Sequence, residues 1–579
     1  MNSFLKIFKI LTPKQMRICV LLIVLMFIVS LMEAFGIGLL YPLINIIGNP
    51  DWLEKHQRIS KTLLHIGINS HRKLIIFSSI TLLLFYFFKN FLILLQGKIQ
   101  ISFSTKNQLD YSKRLYSYYM KKDYIYHLNT NISIFNRNIG IASLTIFSEI
   151  LVNTFQIITN FVTCFVIGIF IAYMDWFIAL CVVLFVVPLI FFMLKFFRKK
   201  IGIAGELQNN QNVENFKWIN QGFSSIKETK VKQCEDFFIK QYNESYTVFA
   251  KCQYDYLTIQ RYPKSLIELI TIGGILLLIA VKMLFTKETS TLIPTLGVLA
   301  LAAVRLMPAL NQIVAMFNQI KFKMPLLNEM FDDLMIVRDL KNADEQNLIK
   351  SNGKVITFTD NICVKHLSFR YPGKDYDVFD DVSFTIPKGS FVGIVGPSGA
   401  GKTTFVDILL GLLPATKGNI FVDGADINDS LSTWLNHISY VPQSIYLIDG
   451  SIKENVAFGI DPSSVNDERI QQVLKMAELY DFVQTLPDKE NSSVGDRGAR
   501  LSGGQRQRIG IARALYSAPS ILVLDEATSA LDNETEKQIT ETILKLKREI
   551  TIIAIAHRLS TLENCDFKIK FEGGKATVC

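Results

Sequence analysis

Six apolar stretches, at roughly 16–40, 74–96, 150–172, 176–197, 264–286 and 290–314, each reach the length of about 20 residues that a helix needs to cross hydrocarbon. Lipid offers no water to backbone N–H and C=O groups, so continuous apolar runs of this length must satisfy those groups internally, as helices. A purely soluble or disordered chain is thereby excluded. Composition agrees, with 50% hydrophobic and only 19% charged residues, 42 of them Phe among the apolar set. Charge is distributed unevenly: residues 1–340 carry 35 Lys and Arg against 20 Asp and Glu, whereas the remainder carries 26 against 31. The basic excess therefore flanks the apolar segments and reads as membrane orientation, with no nucleic-acid partner expected.

Six spans return the chain to its starting side. Lys6, Lys9, Lys14 and Arg17 precede the first span, and basic residues fill the connections 98–137 and 198–264, so both termini are expected in the cytoplasm. The outer turns at Met174–Asp175 and Thr286–Thr289 are short, whereas the cytoplasmic connections are long. Long loops without structure are rare, and contents such as Asn220 to Glu228 predict helices that continue beyond the bilayer and turn back. In the first outer loop, Asn49-Pro50-Asp51 reads as a helix start, with Trp52, Ile59, Leu63 and Ile66 at helical spacing. That pattern predicts either an amphipathic surface helix or a packing element joining two spans. The first apolar run is too long for a signal-peptide core and is expected to remain as an anchor. The eight cysteines show no CxxC and no regular spacing, which predicts reduced, mostly buried thiols and neither a disulfide framework nor a zinc site.

Charges inside the spans are costly and mark candidate functional positions. At 1.5 Å per residue, Lys89 and Arg305 each lie ~22 Å along an inward-running span, and Arg261 sits at the cytoplasmic mouth of the fifth. Three cations from three helices suit an anionic head group in an inward-facing cavity. The competing expectations are that Lys89 snorkels to the inner interface and that Arg305 pairs structurally with Glu268.

From Lys323 the sequence turns polar, giving an expected division into a membrane domain (1–322), a helical extension and linker (323–358) and a second domain (359–579). In that domain Gly396-Pro397-Ser398-Gly399-Ala400-Gly401-Lys402-Thr403 fits G-x-x-x-x-G-K-[ST], after an apolar strand Phe391 to Val395 and before a helical run through Thr404 to Leu413. Glycines let backbone N–H groups approach phosphates, the helix N-terminus adds positive potential, and Lys402 supplies a mobile charge. Thr403 can ligate Mg²⁺. A second apolar strand, Ile521 to Leu524, ends in Asp525, placed to hold the same metal, and Glu526, placed to orient or deprotonate water.

Between these motifs lies Leu501-Ser502-Gly503-Gly504-Gln505, which resembles the signature of the ATP-binding cassette family. Val441-Pro-Gln443, Ser529-Ala-Leu-Asp532 and Ile555-Ala-His557-Arg558 are similar to further motifs of that family, in its order. Six spans ahead of one cassette resemble an exporter-type half-transporter over the whole chain, and Val494 to Gly498 is similar to an exporter element that contacts membrane helices. The implied fold is an all-α six-helix transmembrane domain with long cytoplasmic helical extensions, followed by an α/β P-loop ATPase cassette with a helical subdomain. The resemblance implies ATP and Mg²⁺, with Tyr371 stacking on adenine, Gln443 in a metal and coupling role, His557 at the γ-phosphate, and Thr404 and Asp532 in the nucleotide site. It also implies a homodimer, with Ser502 and Gly504 of one cassette facing Lys402 of the other. The usual cassette tail after the last strand looks shortened.

Phe85 to Lys89, Arg261-Tyr-Pro263 and Ala303 to Pro308 resemble segments of bacterial flippases for lipid-linked oligosaccharides, with Lys89 where arginine is expected. Lysine keeps the charge and loses the bidentate fork. The resemblance implies a polyprenyl-pyrophosphate glycan as cargo and the bacterial cytoplasmic membrane as location. Two alternatives stay open: an exporter of drugs or peptides, less favoured because no peptidase domain is seen before residue 16, and an ATP-gated channel or membrane regulator that does not pump.

Overall fold

The computed structural model describes residues 2–48, 70–174, 176–285, 292–340, 356–526, 533–555 and 564–579. It divides into two units, one of residues 1–122 and 126–349 and the other of 350–579 with the three-residue segment Asp123–Ile125. The expected outer-loop helix, both outer turns and residues 341–355 of the linker lie outside the described residues.

The described residues of the first unit form helices joined by short turns. Its long helices are Pro13–Gly38, His71–Met120, Val152–Met174, Trp176–Ser224, Glu235–Phe285 and Leu292–Leu340, one for each expected span. Among the described residues, three segments are long and apolar enough to cross a membrane: Pro13–Gly36, His71–Met120 and Ile132–Tyr173. A helix of 50 residues, such as His71–Met120, is ~75 Å long, more than twice the hydrocarbon thickness. The helices therefore run past their apolar halves, as the connection lengths predict. The reason is visible on one helix: beyond Leu95, His71–Met120 buries Gln96, Gln100, Ser104, Asn107, Tyr111, Leu115 and Tyr119, a stripe recurring every three or four residues.

Helices Trp176–Ser224 and Glu235–Phe285 form an antiparallel hairpin closed by Ile226–Lys232 and by Gln233 in the left-handed region, φ 52°. Ser245 Oγ donates to Gln211 at 2.8 Å and to Asn215 at 2.7 Å across it, and Gln208 donates to Gln253 at 2.7 Å.

Two features were not expected. Asn136–Ala142 and Thr145–Leu151 are π-helical and lead into Val152–Met174. Beside them lies a polar network in which Arg137, Asn138 and Tyr119 are buried: Arg137 pairs with both carboxylate oxygens of Glu329, Asn138 donates to Tyr119 at 3.0 Å, and Tyr119 donates to Asp333 at 2.6 Å. A buried guanidinium left unpaired costs several kcal/mol by order of magnitude, so this network ties residues ~190 apart in sequence. The thiols also differ from expectation. Among the described cysteines all are free, but only Cys19 and Cys252 are buried, because Cys164 and Cys363 lie on partly covered helix and strand faces and Cys234, Cys565 and Cys579 lie outside helices and strands.

The second unit holds two sheets. One is antiparallel, in the order Phe379–Pro387, Asn361–Phe369, Lys417–Val422, Ala425–Asp426. The other runs Lys575–Val578, Phe567–Glu572, Phe391–Val395, Thr551–Ile555, Ile521–Asp525, Ile438–Val441, and its last five strands are parallel. Ile521–Asp525 and Thr551–Ile555 are buried along their whole length, which explains their unbroken apolar sequence. Ile452–Val456, Asp467–Met476, Tyr480–Gln484 and Gly503–Tyr516 form the helical subdomain, packed on Val456, Ile470, Val473, Leu474 and Ile509.

Gly205 marks a close helix approach in the first unit, since a Cβ there would fall 2.1 Å from the Phe322 carbonyl oxygen. Gly205→Val is expected to lower the thermal transition of the full chain by several degrees, a cost of ~1–3 kcal/mol for overpacking. Gly168→Ala, which meets nothing within 4 Å, is the comparison, and equal stability of the two variants would refute the packing argument.

Candidate functional site

Parallel strands deliver their C-terminal ends to one edge of a sheet, and ligands bind in the crevice outside that edge. Here Val395 leads into the glycine loop, Asp525 into Glu526, and Val441 toward Gln443. The strand Thr551–Ile555 lies between the first two, so loop and carboxylates stand about two strand spacings apart, ~10 Å. Ile555 ends that middle strand on the way to His557, which lies outside the described residues together with Ser529 to Asp532.

The loop can exist only with glycine at its turning points. Gly396 has φ 151° and a Cβ there would fall 2.2 Å from the Phe571 carbonyl oxygen, while Gly401 adopts φ 94° and would meet Val378 at 2.8 Å. Pro397, Ser398 and Gly399 are exposed and Ala400 is half-buried. Helix Lys402–Leu409 then begins without any side-chain cap on its first turn. An uncapped N-terminus behind a glycine loop presents donors and positive potential to an anion. Buried Lys402 folds over the loop, its Nζ donating to the Gly396 and Pro397 carbonyl oxygens at 2.9 and 3.0 Å. Thr403 is exposed and Thr404 is buried, its Oγ1 3.2 Å from the Tyr371 hydroxyl. Tyr371 stands edge-on to Phe369 at 4.9 Å between ring centroids. The helix ends at Leu409, short of the expected Leu413, because Gly411 takes φ 67°.

Asp525 is buried at the end of its strand and accepts a 3.3 Å hydrogen bond from Tyr440. Burial pushes its carboxyl above the usual range, opposed by Tyr440 and Lys402 and reinforced by Glu526. A buried carboxylate short of positive charge is the donor that a divalent cation completes. Among the described residues no cluster of three His, Cys, Asp or Glu could hold a metal alone. A Mg²⁺ ion would therefore depend on Asp525, Thr403, Gln443 and phosphate oxygens together, and the residues present fit that requirement. Glu526 has φ 49°, its N–H bonded to the Ile555 carbonyl at 2.9 Å, and Gln443 Nε2 donates to its Oε2 at 2.7 Å.

Ser502 caps helix Gly503–Tyr516 in a capping box: Gln505 N–H donates to Ser502 Oγ at 3.2 Å, and Ser502 N–H to Gln505 Oε1 at 2.8 Å. Ser502 is exposed while Gly503, Gly504 and Gln505 are half-buried, so the signature forms an outward-facing helix start.

In the helical unit, Lys89 is buried, with Nζ 4.5 Å from the Tyr86 ring centroid, and Tyr86 donates to the Gly36 carbonyl at 3.2 Å. That placement opposes the snorkelling alternative. Arg261 is exposed on Glu235–Phe285, and Arg305 lies on Leu292–Leu340 with its side chain outside the described residues.

Sequence reasoning missed Asp407, one turn and a half past Lys402. Burial and the Asp525 charge push its carboxyl up to about 6. The signal available was a lone carboxylate between Val406 and Ile408 on a helix behind the loop. Because its folded value is raised, its contribution is fully present below the unfolded value of 3.8 and is lost as pH rises through about 6. Asp407→Asn is therefore expected to stabilise the nucleotide-free chain at about pH 8 by ~1 kcal/mol, after discounting for a half-exposed group, with no gain at about pH 4. Thermal unfolding at the two pH values checks this, and a gain of the same size at both would refute it.

The comparisons agree with this geometry. The family model described as ABC transporter matches residues 379–529. An ATP-dependent lipid A-core flippase of Bordetella avium is 45% identical over 212 residues, 36% of this chain and 36% of that protein. One of Francisella tularensis is 39% identical over 248 residues, 42% and 39% of the two. The ABC multidrug transporter mdr1 of Aspergillus fumigatus is 40% identical over 235 residues, 40% of this chain and 17% of that protein. The chain thus spans well under half the length of these relatives. A solved bacterial Atm1-family ABC exporter with ATP bound superposes with a TM-score of 0.74 at 20% identity, over 97% of this chain and 94% of that one, which shows a common fold.

Proposed function

From a chain that carries an ABC transporter domain behind a helical domain of ABC-exporter fold, we propose ATP-driven export or flipping of a lipid across a membrane. The observation that carries this reading is the convergence of the glycine loop, Lys402, Asp525, Glu526 and Gln443 on one sheet edge. The finer reading is a lipid-linked oligosaccharide, a polyprenyl-pyrophosphate glycan, moved from the cytoplasmic to the outer leaflet of a bacterial inner membrane by alternating access of a homodimer. Relatives named lipid flippases and three cations on three helices support it.

Each residue has a definable task. The amides of the loop and first helical turn bind the phosphates, and Lys402 leaves its two carbonyl partners to reach them. Bound magnesium supplies neutralisation of the developing phosphate charge. Thr403, Asp525 and Gln443 would hold that ion. Glu526 orients a water and accepts its proton at a carboxylate oxygen, and Gln443 positions that carboxylate. Tyr371 stacks the adenine, and His557 contacts the γ-phosphate. The exposed capped start at Ser502 contributes to the partner's nucleotide site. Lys89, Arg261 and Arg305 would hold the pyrophosphate while the lipid tail stays in hydrocarbon.

Reconstituted proteoliposomes test the reading. Wild-type chain with ATP is expected to flip lipid-linked oligosaccharide, and Glu526→Gln to reduce ATP hydrolysis and flipping together by about a hundredfold or more. Flipping at the wild-type rate without ATP would overturn it. Arg305→Ala is expected to abolish both flipping and stimulation of ATP hydrolysis by cargo. If it depresses cargo-free hydrolysis equally, Arg305 is structural. The match to a multidrug transporter favours one rival, export of hydrophobic drugs or peptides. ATPase stimulation by such compounds, with none by the oligosaccharide lipid, would decide for that rival.

A further inference from the structure

A cavity of about 650 Å³ opens between helices Trp176–Ser224 and Leu292–Leu340 of the helical unit, and its lining includes Lys195, Arg198, Lys199 and Lys321 together with Glu206 and Glu329. Its charges do not balance. Glu329 is already neutralised by Arg137, which chelates its carboxylate, and Asn209 donates to it at 2.7 Å. Four cations then face one carboxylate. None of the four forms an ion pair among the described residues, whereas in the neighbouring cavity of about 450 Å³ Lys200 is matched by Asp255 at 3.5 Å.

Sequence spacing builds this arrangement. Lys195, Arg198 and Lys199 occupy i, i+3 and i+4 of one helix face, and the next position on that face is Gly202. A Cβ at Gly202 would lie 3.3 Å from Lys321 Cε and 3.7 Å from its Nζ. The glycine therefore admits the lysine of the opposite helix into the same space. The apolar run Trp176 to Leu194 ends one residue before Lys195. Its length of ~28 Å matches the hydrocarbon thickness, so the cations sit where the phosphates of the cytoplasmic leaflet lie.

The geometry points to a binding site for a phosphate group, occupied by the head group of an anionic phospholipid of the inner leaflet. Three ammonium groups and one guanidinium fork are chemically suited to a phosphodiester, and the apolar face just before Lys195 receives the acyl chains. The Glu206 carboxylate in the same lining disfavours a second anion. The site is separate from Lys89, Arg261 and Arg305 and does not depend on the identity of the cargo.

Native mass spectrometry of the detergent-solubilised full chain, titrated with phosphatidylglycerol, phosphatidylcholine or inorganic pyrophosphate, tests this. Wild-type chain is expected to bind phosphatidylglycerol about tenfold more tightly than phosphatidylcholine. Lys195→Gln/Arg198→Gln/Lys321→Gln is expected to erase that preference, whereas Lys230→Gln/Lys232→Gln/Lys240→Gln, at the exposed far end of the hairpin, keeps it. Gly202→Leu, which removes no charge but excludes Lys321, is expected to weaken phosphatidylglycerol binding several-fold. A thermal transition within about 2 °C of wild type confirms that the triple variants fold. Retained preference in the first triple variant, or equal loss in both triples, overturns the site. Pyrophosphate that binds as tightly as the lipid and displaces it overturns the lipid assignment in favour of a soluble phosphate.

Discussion

The sheet edge depends on a strand that is buried on both faces yet ends in a carboxylate. Ile521 to Leu524 can sit between Thr551–Ile555 and Ile438–Val441 only because all of its side chains are apolar, and the same burial holds Asp525 out of water. Desolvation makes that carboxylate a stronger partner for any cation that reaches it. The glycine loop two strands away provides the complementary half. Its helix start lacks a cap, and Lys402 meanwhile satisfies itself on loop carbonyls. Each half is under-satisfied alone, and a nucleotide with its metal supplies what both lack.

Much of this was legible in sequence because the determinants are local. Six apolar runs became six long helices, the glycine pattern fixed the loop, and the strand ending in Asp525 and Glu526 appeared where its apolar run placed it. What escaped was set by distant partners. Arg137, Glu329, Tyr119 and Asp333 carry no periodic signal, and their pairing appears only when helices from opposite ends of the unit meet. The π-helical stretches before Val152 lie in the same contact region, and no residue pattern announces them. Lys89 shows the division: its depth along a helix is readable from sequence, but the face it turns to its neighbours is not.

The helical unit sorts its cations by the partner each can find. Arg137 is buried and has two carboxylate oxygens, so it fixes structure. Lys89 is buried against the face of the Tyr86 ring, an arrangement favourable to a cation. Lys195, Arg198, Lys199 and Lys321 line an open cavity with one uncompensated carboxylate among them. Arg137 is thus electrostatically complete, whereas the four cations of the cavity are not.

Glu526 shows how the cassette keeps two adjacent carboxylates at one edge. Successive residues of a strand point to opposite faces, so a continued strand would send Asp525 and Glu526 apart. The left-handed turn at Glu526 breaks that alternation, at a cost of ~1–3 kcal/mol for a non-glycine residue. Its N–H bond to Ile555 and the Gln443 bond to its carboxylate offset part of that cost. Tyr440 and Gln443, on and just beyond the neighbouring strand, then reach Asp525 and Glu526 respectively. One strand end thus brings the Asp525 and Glu526 carboxylates to the same edge of the sheet.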